Sequence, residues 1–243
     1  MTTAAMTTKV QSGQISLTTA SATGINTPSG SFMLALPADP DRSEYEQFIA
    51  QRFNEAFGAS LIEFFPLLLA RRDADAVTSV VGLRPGDRRP LFLEQYLDSN
   101  LETAISDATG CNVDRLQLME IGNLASVGKT GSQLLFILLT AVLAEAGFEW
   151  VVFTATEQIR LLLQRLRFEP VTLCEANPAR LVNKNQVWGS YYQSHPKVQA
   201  GNVSEAVEIL HCNPYSAALL KKHKEEIRKL AGDLLPARYQ LEA

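Results

Sequence analysis

Residues 115–156 read RLQLMEIGNLASVGKTGSQLLFILLTAVLAEAGFEWVVFTAT, and this stretch decides the fold. From Arg115 to Gly122 apolar and polar side chains alternate, the period of a half-buried strand. Asn123 to Gly131 is small, polar and glycine-bearing and reads as a loop. Ser132 to Ala146 is apolar almost all round, so it reads as a helix buried on every side. Gly147 stands where a left-handed glycine closes a helix. Residues 149–156, with Trp150, Val151, Val152 and Phe153, read as a second strand. Strand, helix and strand in this order favour a right-handed crossover joining parallel strands. The glycines at the helix mouth leave N–H groups without intrahelical partners, and such groups attract anions.

Those glycines do not make a nucleotide phosphate loop. That loop needs four residues between its glycines, followed by Lys and Ser or Thr, whereas Asn123 to Val127 is five. The number of residues sets the loop radius, so Lys129 is carried away from the phosphates and reads as a solvated lysine.

The chain has 243 residues, 46% of them hydrophobic and 20% charged, which suits one globular domain with appendages. A net charge of −4 argues against nucleic acid as the main partner. Three widely spaced cysteines, Cys111, Cys174 and Cys212, suggest neither a disulfide framework nor a metal motif. A reducing cytoplasm fits that usage. No apolar run approaches the ~20 residues of a membrane span. Residues 1–31, rich in Thr, Ser, Ala and Gly, read as a mobile arm, 32–201 as the core domain and 202–243 as a helical appendage.

Within the core, residues 32–36 read as a strand and 44–57 as a helix with Ser43 in a capping box. Residues 66–83 form a hairpin. Residues 91–97 lie on the sheet or cover its edge, and 100–109 form a helix closed by Gly110. Residues 157–167 read as a helix, 171–174 and 186–192 as strands. The segment 215–235 carries Leu219, Leu220, Ile227, Leu230 and Leu234 at helical spacing. It reads as one or two amphipathic helices that dock on the domain, form a homodimer contact or lie on a membrane surface.

The order of elements resembles the GNAT acyltransferase superfamily. The words GLRP at 82–85, PLFLEQYL at 90–97, EIGNLA at 120–125, GFEWVVFTAT at 147–156 and WGSYY at 188–192 resemble the thermostable hemolysin family of bacteria, a divergent branch similar in layout to acyl-homoserine lactone synthases. The resemblance spans roughly residues 32–201. It implies an α+β, three-layer α/β fold with a mixed central sheet flanked by helices. It also implies a bulged central strand whose amides face an acyl thioester, and a helix mouth that holds the coenzyme A pyrophosphate. The donor would be acyl-CoA or an acyl carrier protein, without a metal, and the acceptor a small-molecule amine. Of the superfamily's spaced glycines only Gly131 is in register. Ser126 replaces the expected Arg, and Val127 and Lys129 stand where small glycines would be. That departure leans towards a long acyl chain or a carrier-protein donor. The family's other implication is a membrane-active protein that keeps the fold without catalysis.

Glu120, mid-strand among Leu118, Met119 and Ile121, is either a general base for the amine or an ion-pair partner of Arg84 or Arg115. Asn123, at the expected bulge, orients the acyl carbonyl or tolerates an unusual backbone angle. Leu124, Ser126, Gly128, Lys129, Thr130, Gly131 and Ser132 are the candidate donor-binding residues. Glu94 and Tyr96 are candidates to grip the acceptor, with a water-facing edge glutamate as the alternative for Glu94. Thr154 and Thr156 share a strand face and are candidates to line the donor slot. Trp188 and Tyr191 are candidates to line an acyl tunnel or else are core aromatics. His195, His211 and His223 lie outside these motifs, so neither a metal site nor a catalytic triad is expected.

Overall fold

The computed structural model describes residues 30–86, 90–182 and 186–240. The expected arm lies almost wholly outside the described residues. The described chain forms a mixed seven-stranded sheet between two helical layers. In chain order the elements are β1 (Ser31–Ala35), α1 (Arg42–Phe57), β2 (Leu67–Asp73), β3 (Ala76–Pro85), α2 (Leu101–Thr109), β4 (Leu118–Ser126), α3 (Gly128–Glu145), β5 (Trp150–Ala155), α4 (Glu157–Arg165), β6 (Val171–Glu175), β7 (Lys197–Asn202), α5 (Val203–Cys212), α6 (Pro214–Lys222) and α7 (Lys224–Gln240). The strands lie in the order β1-β2-β3-β4-β5-β7-β6, and every neighbouring pair is antiparallel except β4 and β5.

That parallel pair is the expected crossover, and it is short. Leu118, Met119, Glu120 and Ile121 pair with Trp150, Val151, Val152 and Phe153, and there the pairing stops. Beyond it β4 continues along β3 and β5 continues along β7, so the two strands part at their C-terminal ends.

Helix α3 is apolar all round because it has neighbours all round. Leu134 to Leu139 are all buried, with the sheet on one side and α5, α6 and α7 on the other. Leu219, Leu220, Ile227, Leu230 and Leu234 belong to the same core as α3, so the amphipathic faces of the C-terminal segment are covered within the chain. Glu226 fixes α7 to the sheet edge by accepting the Phe32 N–H at 2.8 Å. On the opposite face lie α1 and α2, the former burying Tyr45, Ile49 and Phe53.

Three expectations are corrected. The presumed loop from Asn123 to Gly131 is strand to Ser126 and helix from Gly128, because β3 is long enough to pair with it. Residues 91–97 do lie on the sheet, with Phe92–Tyr96 a 3-10 helix held by two carboxylates described below. Residues 186–192 give only an isolated bridge, Ser60 to Val187, followed by a 3-10 helix at Tyr191–Ser194. The last strand is β7, where buried Val198 and Ala200 alternate with longer polar residues. Finally, Ser43 does not cap α1; it lies inside a helix that begins at Arg42. Among the described residues no helix is long and apolar enough to cross a membrane.

Candidate active site

A cavity of about 460 Å³ opens where β4 and β5 part. The bulge that shapes it is on β4. Gly82 faces Gly122 and Val80 faces Ala125, so Val81 alone stands opposite both Asn123 and Leu124. Asn123 takes the left-handed conformation, φ +49°, and its Oδ1 accepts the Phe65 N–H at 2.8 Å. The side chain thereby stabilises an uncommon backbone turn and joins β4 to the segment before β2.

Phe65 is seated on two strand glycines. A Cβ on Gly122 would stand 2.6 Å from its ring, and one on Gly82 would stand 2.8 Å from its Cβ. The Arg84 guanidinium lies over the ring, 4.5 Å from the centroid. Phe65, Arg84, Phe92, Phe136 and Phe153 all line the cavity, and none was singled out for it from the sequence. The available signal was the glycine inside each strand, which marks close approach of another group.

Glu120 is fully buried and is not part of the cavity wall. Its Oε1 accepts the Leu93 N–H at 2.6 Å and its Oε2 the Phe92 N–H at 3.0 Å, with Arg84 Nη1 at 3.8 Å. Burial pushes its carboxyl up to about 7, against the lowering effect of Arg84 and the two amides. The expected ion pair with Arg84 exists at long range; Arg115 instead meets Glu94 and Glu102. The expectation that Glu120 reaches the slot is not met.

Glu94 also lies away from the cavity. It accepts Arg115 at 2.6 Å, the Leu91 N–H at 2.8 Å and the Leu101 N–H at 3.1 Å, which leaves it mostly buried in an ion-pair cluster. Tyr96 is buried, and its hydroxyl bonds that of Tyr192. Neither residue is brought to the cleft.

The structure does bring together Asn123, Leu124, Ser126, Ser132, Thr154, Thr156, Trp188 and Tyr191, all on the cavity wall. Thr156 is also the residue from which α4 starts. Burial, reinforced by neighbouring Tyr192, raises the Tyr191 hydroxyl above its ordinary value, so it acts as a neutral group at pH 7. Gly128, at φ +72°, starts α3, and its carbonyl accepts the hydroxyls of Ser126 and Ser132. Of Lys129 and Thr130 only the backbone is described, in the first turn of α3. Gly131 serves packing: a Cβ there would meet Ser126 Oγ and Ser79 Oγ, each at 3.1 Å.

Behind the cleft lies a second cavity of about 360 Å³ between α3, β5, α4 and α5. Leu139, Leu143, Leu163 and Phe168 line it, and Ile121, Phe136 and Phe153 form a wall common to both cavities.

Comparison with known proteins identifies the fold and the family. A search of curated sequences finds no match. Among solved structures, FeeM, an N-acyl amino acid synthase from uncultured soil microbes, superposes with a TM-score of 0.53 at 10% identity, over 74% of this chain and 94% of its own. The acyl-homoserine lactone synthase LasI superposes with a TM-score of 0.50 at 11% identity, over 73% of this chain and 91% of its own. The GNAT-like fold of the acyl synthases is therefore shared. The family model for thermostable hemolysin matches residues 35–207, and the chain belongs to the thermostable hemolysin family.

Proposed function

We propose that the protein is an N-acyltransferase that moves a long acyl chain from a coenzyme A or carrier-protein thioester to an amine. The observation carrying this reading is the parting of a parallel strand pair after Ile121 and Phe153, over a cleft backed by a second cavity with leucine and phenylalanine walls and a polar rim at Arg167, Glu169 and Glu205. The thioester lies between the strands. Its phosphates meet the unpaired N–H groups of the first turn of α3, where the helix dipole favours anions. Its acyl chain passes Ile121, Phe136 and Phe153 into the second cavity.

The bulge residues Asn123 and Leu124 share one β3 partner, which leaves backbone N–H capacity for the thioester carbonyl oxygen. The amine nitrogen attacks the carbonyl carbon, and the tetrahedral adduct expels the thiolate. The nitrogen loses one proton to water at the cleft mouth, and the thiolate takes one up. With both oxygens of Glu120 engaged by amides, holding the Phe92–Leu93 turn and Arg84 suits it better than taking that proton directly. Orientation of the two reactants is then the main source of acceleration.

The membrane-active alternative leaned on the amphipathic C-terminal segment, whose apolar side chains are buried against α3. The test is thiol release from acyl-CoA and acyl carrier protein donors of graded chain length, with and without an amine pool, and mass spectrometry of the amide formed. Amine-dependent release is expected. Ala206→Phe, at the rim of the second cavity, should shift the preferred donor to shorter chains. No release with any donor, together with vesicle leakage by the purified protein alone, would overturn the reading.

A further inference from the structure

Arg84 is an exception among the well-placed arginines of this chain. Arg42, Arg71, Arg115 and Arg180 each donate short hydrogen bonds to carboxylates or carbonyls. Arg84 is positioned as firmly, with Phe65 beneath its guanidinium and Glu120 beside it, yet its nearest carboxylate oxygen is 3.8 Å away. That is too long for a hydrogen bond. Among the described residues the guanidinium donates no hydrogen bond, and it lines the cleft.

Its support is elaborate for a residue that donates no hydrogen bond among the described residues. Two strand glycines make room for the Phe65 ring, and Asn123 Oδ1 pins the Phe65 amide. The Phe92 and Leu93 amides hold the two Glu120 oxygens in place, with the nearer one 3.8 Å from Arg84. A planar fork of donors held open in this way matches a carboxylate, which it binds through two parallel hydrogen bonds.

The donor's phosphates are not the group it meets. Arg84 pairs with Glu120 in the ladder, six residues before Ser126 and the mouth of α3. At ~3.3 Å per strand residue that is about 20 Å along β4. Glu120 and Gly122 also face the Phe92 and Phe65 side of the sheet, whereas Met119 and Ile121 face α3. Arg84 therefore serves the acceptor end of the cleft, among Phe65, Phe92 and Trp188.

Resting on the acyltransfer reading above, we infer that the acceptor is an amine that also carries a carboxylate, an apolar amino acid, and that Arg84 reads that carboxylate while the aromatic wall receives the side chain.

The experiment pairs each amino acid with the amine that lacks only its carboxylate: phenylalanine with phenethylamine, leucine with isoamylamine. Wild type should favour the amino acid by about 10²-fold in kcat/KM, the scale of a charge-assisted pair. Arg84→Gln should reduce that preference to within a few-fold, and Arg84→Lys, which keeps the charge but not the fork, should fall between. Melting temperatures confirm that the variants fold. Equal use of both partners by wild type, or a preference that survives in Arg84→Gln, overturns the inference and leaves acyltransfer standing. A stronger preference for phosphoethanolamine overturns it in favour of a phosphate. If no amine supports thiol release, calorimetric binding of N-dodecanoyl phenylalanine against N-dodecanoyl phenethylamine still decides the role of Arg84, while the acyltransfer reading fails separately.

Discussion

Glu120 and Glu94 each accept two backbone N–H groups from the segment that runs from Leu91 to Leu101, yet their environments move their protons in opposite directions. Glu120 is fully buried with its cation at 3.8 Å, and burial dominates, so its carboxyl rises to about 7. Glu94 also suffers desolvation, but Arg115 at 2.6 Å and the Leu91 and Leu101 amides outweigh it, so its carboxyl falls below the ordinary value. The lesson is one of burial and distance together. Two hydrogen-bonded amides do not offset full burial for Glu120, whereas the less buried Glu94 has a cation in contact and stays charged. A side chain that withholds its cation from a carboxylate also leaves that cation free for something else, which is the position of Arg84.

The largest expected effect that sharpens this contrast is on stability. Glu94→Ala removes the acceptor of two amides and a carboxylate in contact with Arg115, so it should cost on the order of 3 kcal/mol in urea unfolding. A loss as small as that of an exposed pair would mean that Arg115 is satisfied without Glu94.

The next effect is pH dependence. Because the folded carboxyl of Glu120 sits above its unfolded value, the folded state holds the extra proton. The associated stability is fully present below about pH 4.5 and is lost as pH rises through about 7. A shift of that size corresponds to on the order of 3 kcal/mol. Glu94 works the other way, its contribution being present above its unfolded value and lost as pH falls. Melting temperature should therefore peak in mildly acidic buffer, and Glu120→Gln should flatten the decline towards pH 7. An identical profile in that variant would remove Glu120 from the account.

A smaller effect separates two roles for Glu120. As the support of Arg84 and the Phe92–Leu93 turn, its replacement by Gln should raise acceptor KM about 10-fold with kcat nearly unchanged. A general base would instead show its loss in kcat, by ~10²–10⁴. Smallest of all, Gly131→Ala should cost up to about 1 kcal/mol of stability, because the new methyl meets two serine hydroxyls. It should also weaken donor binding in proportion. Donor binding lost without any loss of stability would make Gly131 a donor contact.

Much of the fold was legible in the chain. The alternation before Gly122, the all-round apolarity of α3 and the β-branched run at Val151–Val152 carry the crossover, because each pattern has one favourable environment. Other elements were hidden for physical reasons. β7 is short and has few large apolar side chains, its burial coming from the strands on either side. The 3-10 helix Phe92–Tyr96 owes its shape to Glu94 and to a carboxylate 28 residues from Phe92, which local pattern cannot reveal. At the site, Asn123, Ser126, Ser132, Thr154, Thr156, Trp188 and Tyr191 could be placed from their strands and motifs. Phe65 and Arg84 could not, since their meeting depends on three segments brought together by tertiary structure. The packing roles of the glycines were equally hidden: Gly131 makes room for neighbouring serines, while Gly82 and Gly122 make room for a ring.

The extra residue in β4 has a further consequence, for the phase of the strand. Up to Gly122 the even-numbered side chains look towards the aromatic face and the odd-numbered ones towards α3; after Asn123 the parity inverts, with Leu124 packing on the α3 side and Ala125 on the α1 side. This half-period slip is why the alternation in the sequence ends at Gly122 while the strand goes on to Ser126. It also sets the heading of everything that follows. Without it Ser126 would turn to the other face, and the helix mouth would leave the strand on the wrong side of the sheet. The chain should therefore tolerate changes of side chain in this stretch far better than a change of length by a single residue, which would throw the crossover out of frame.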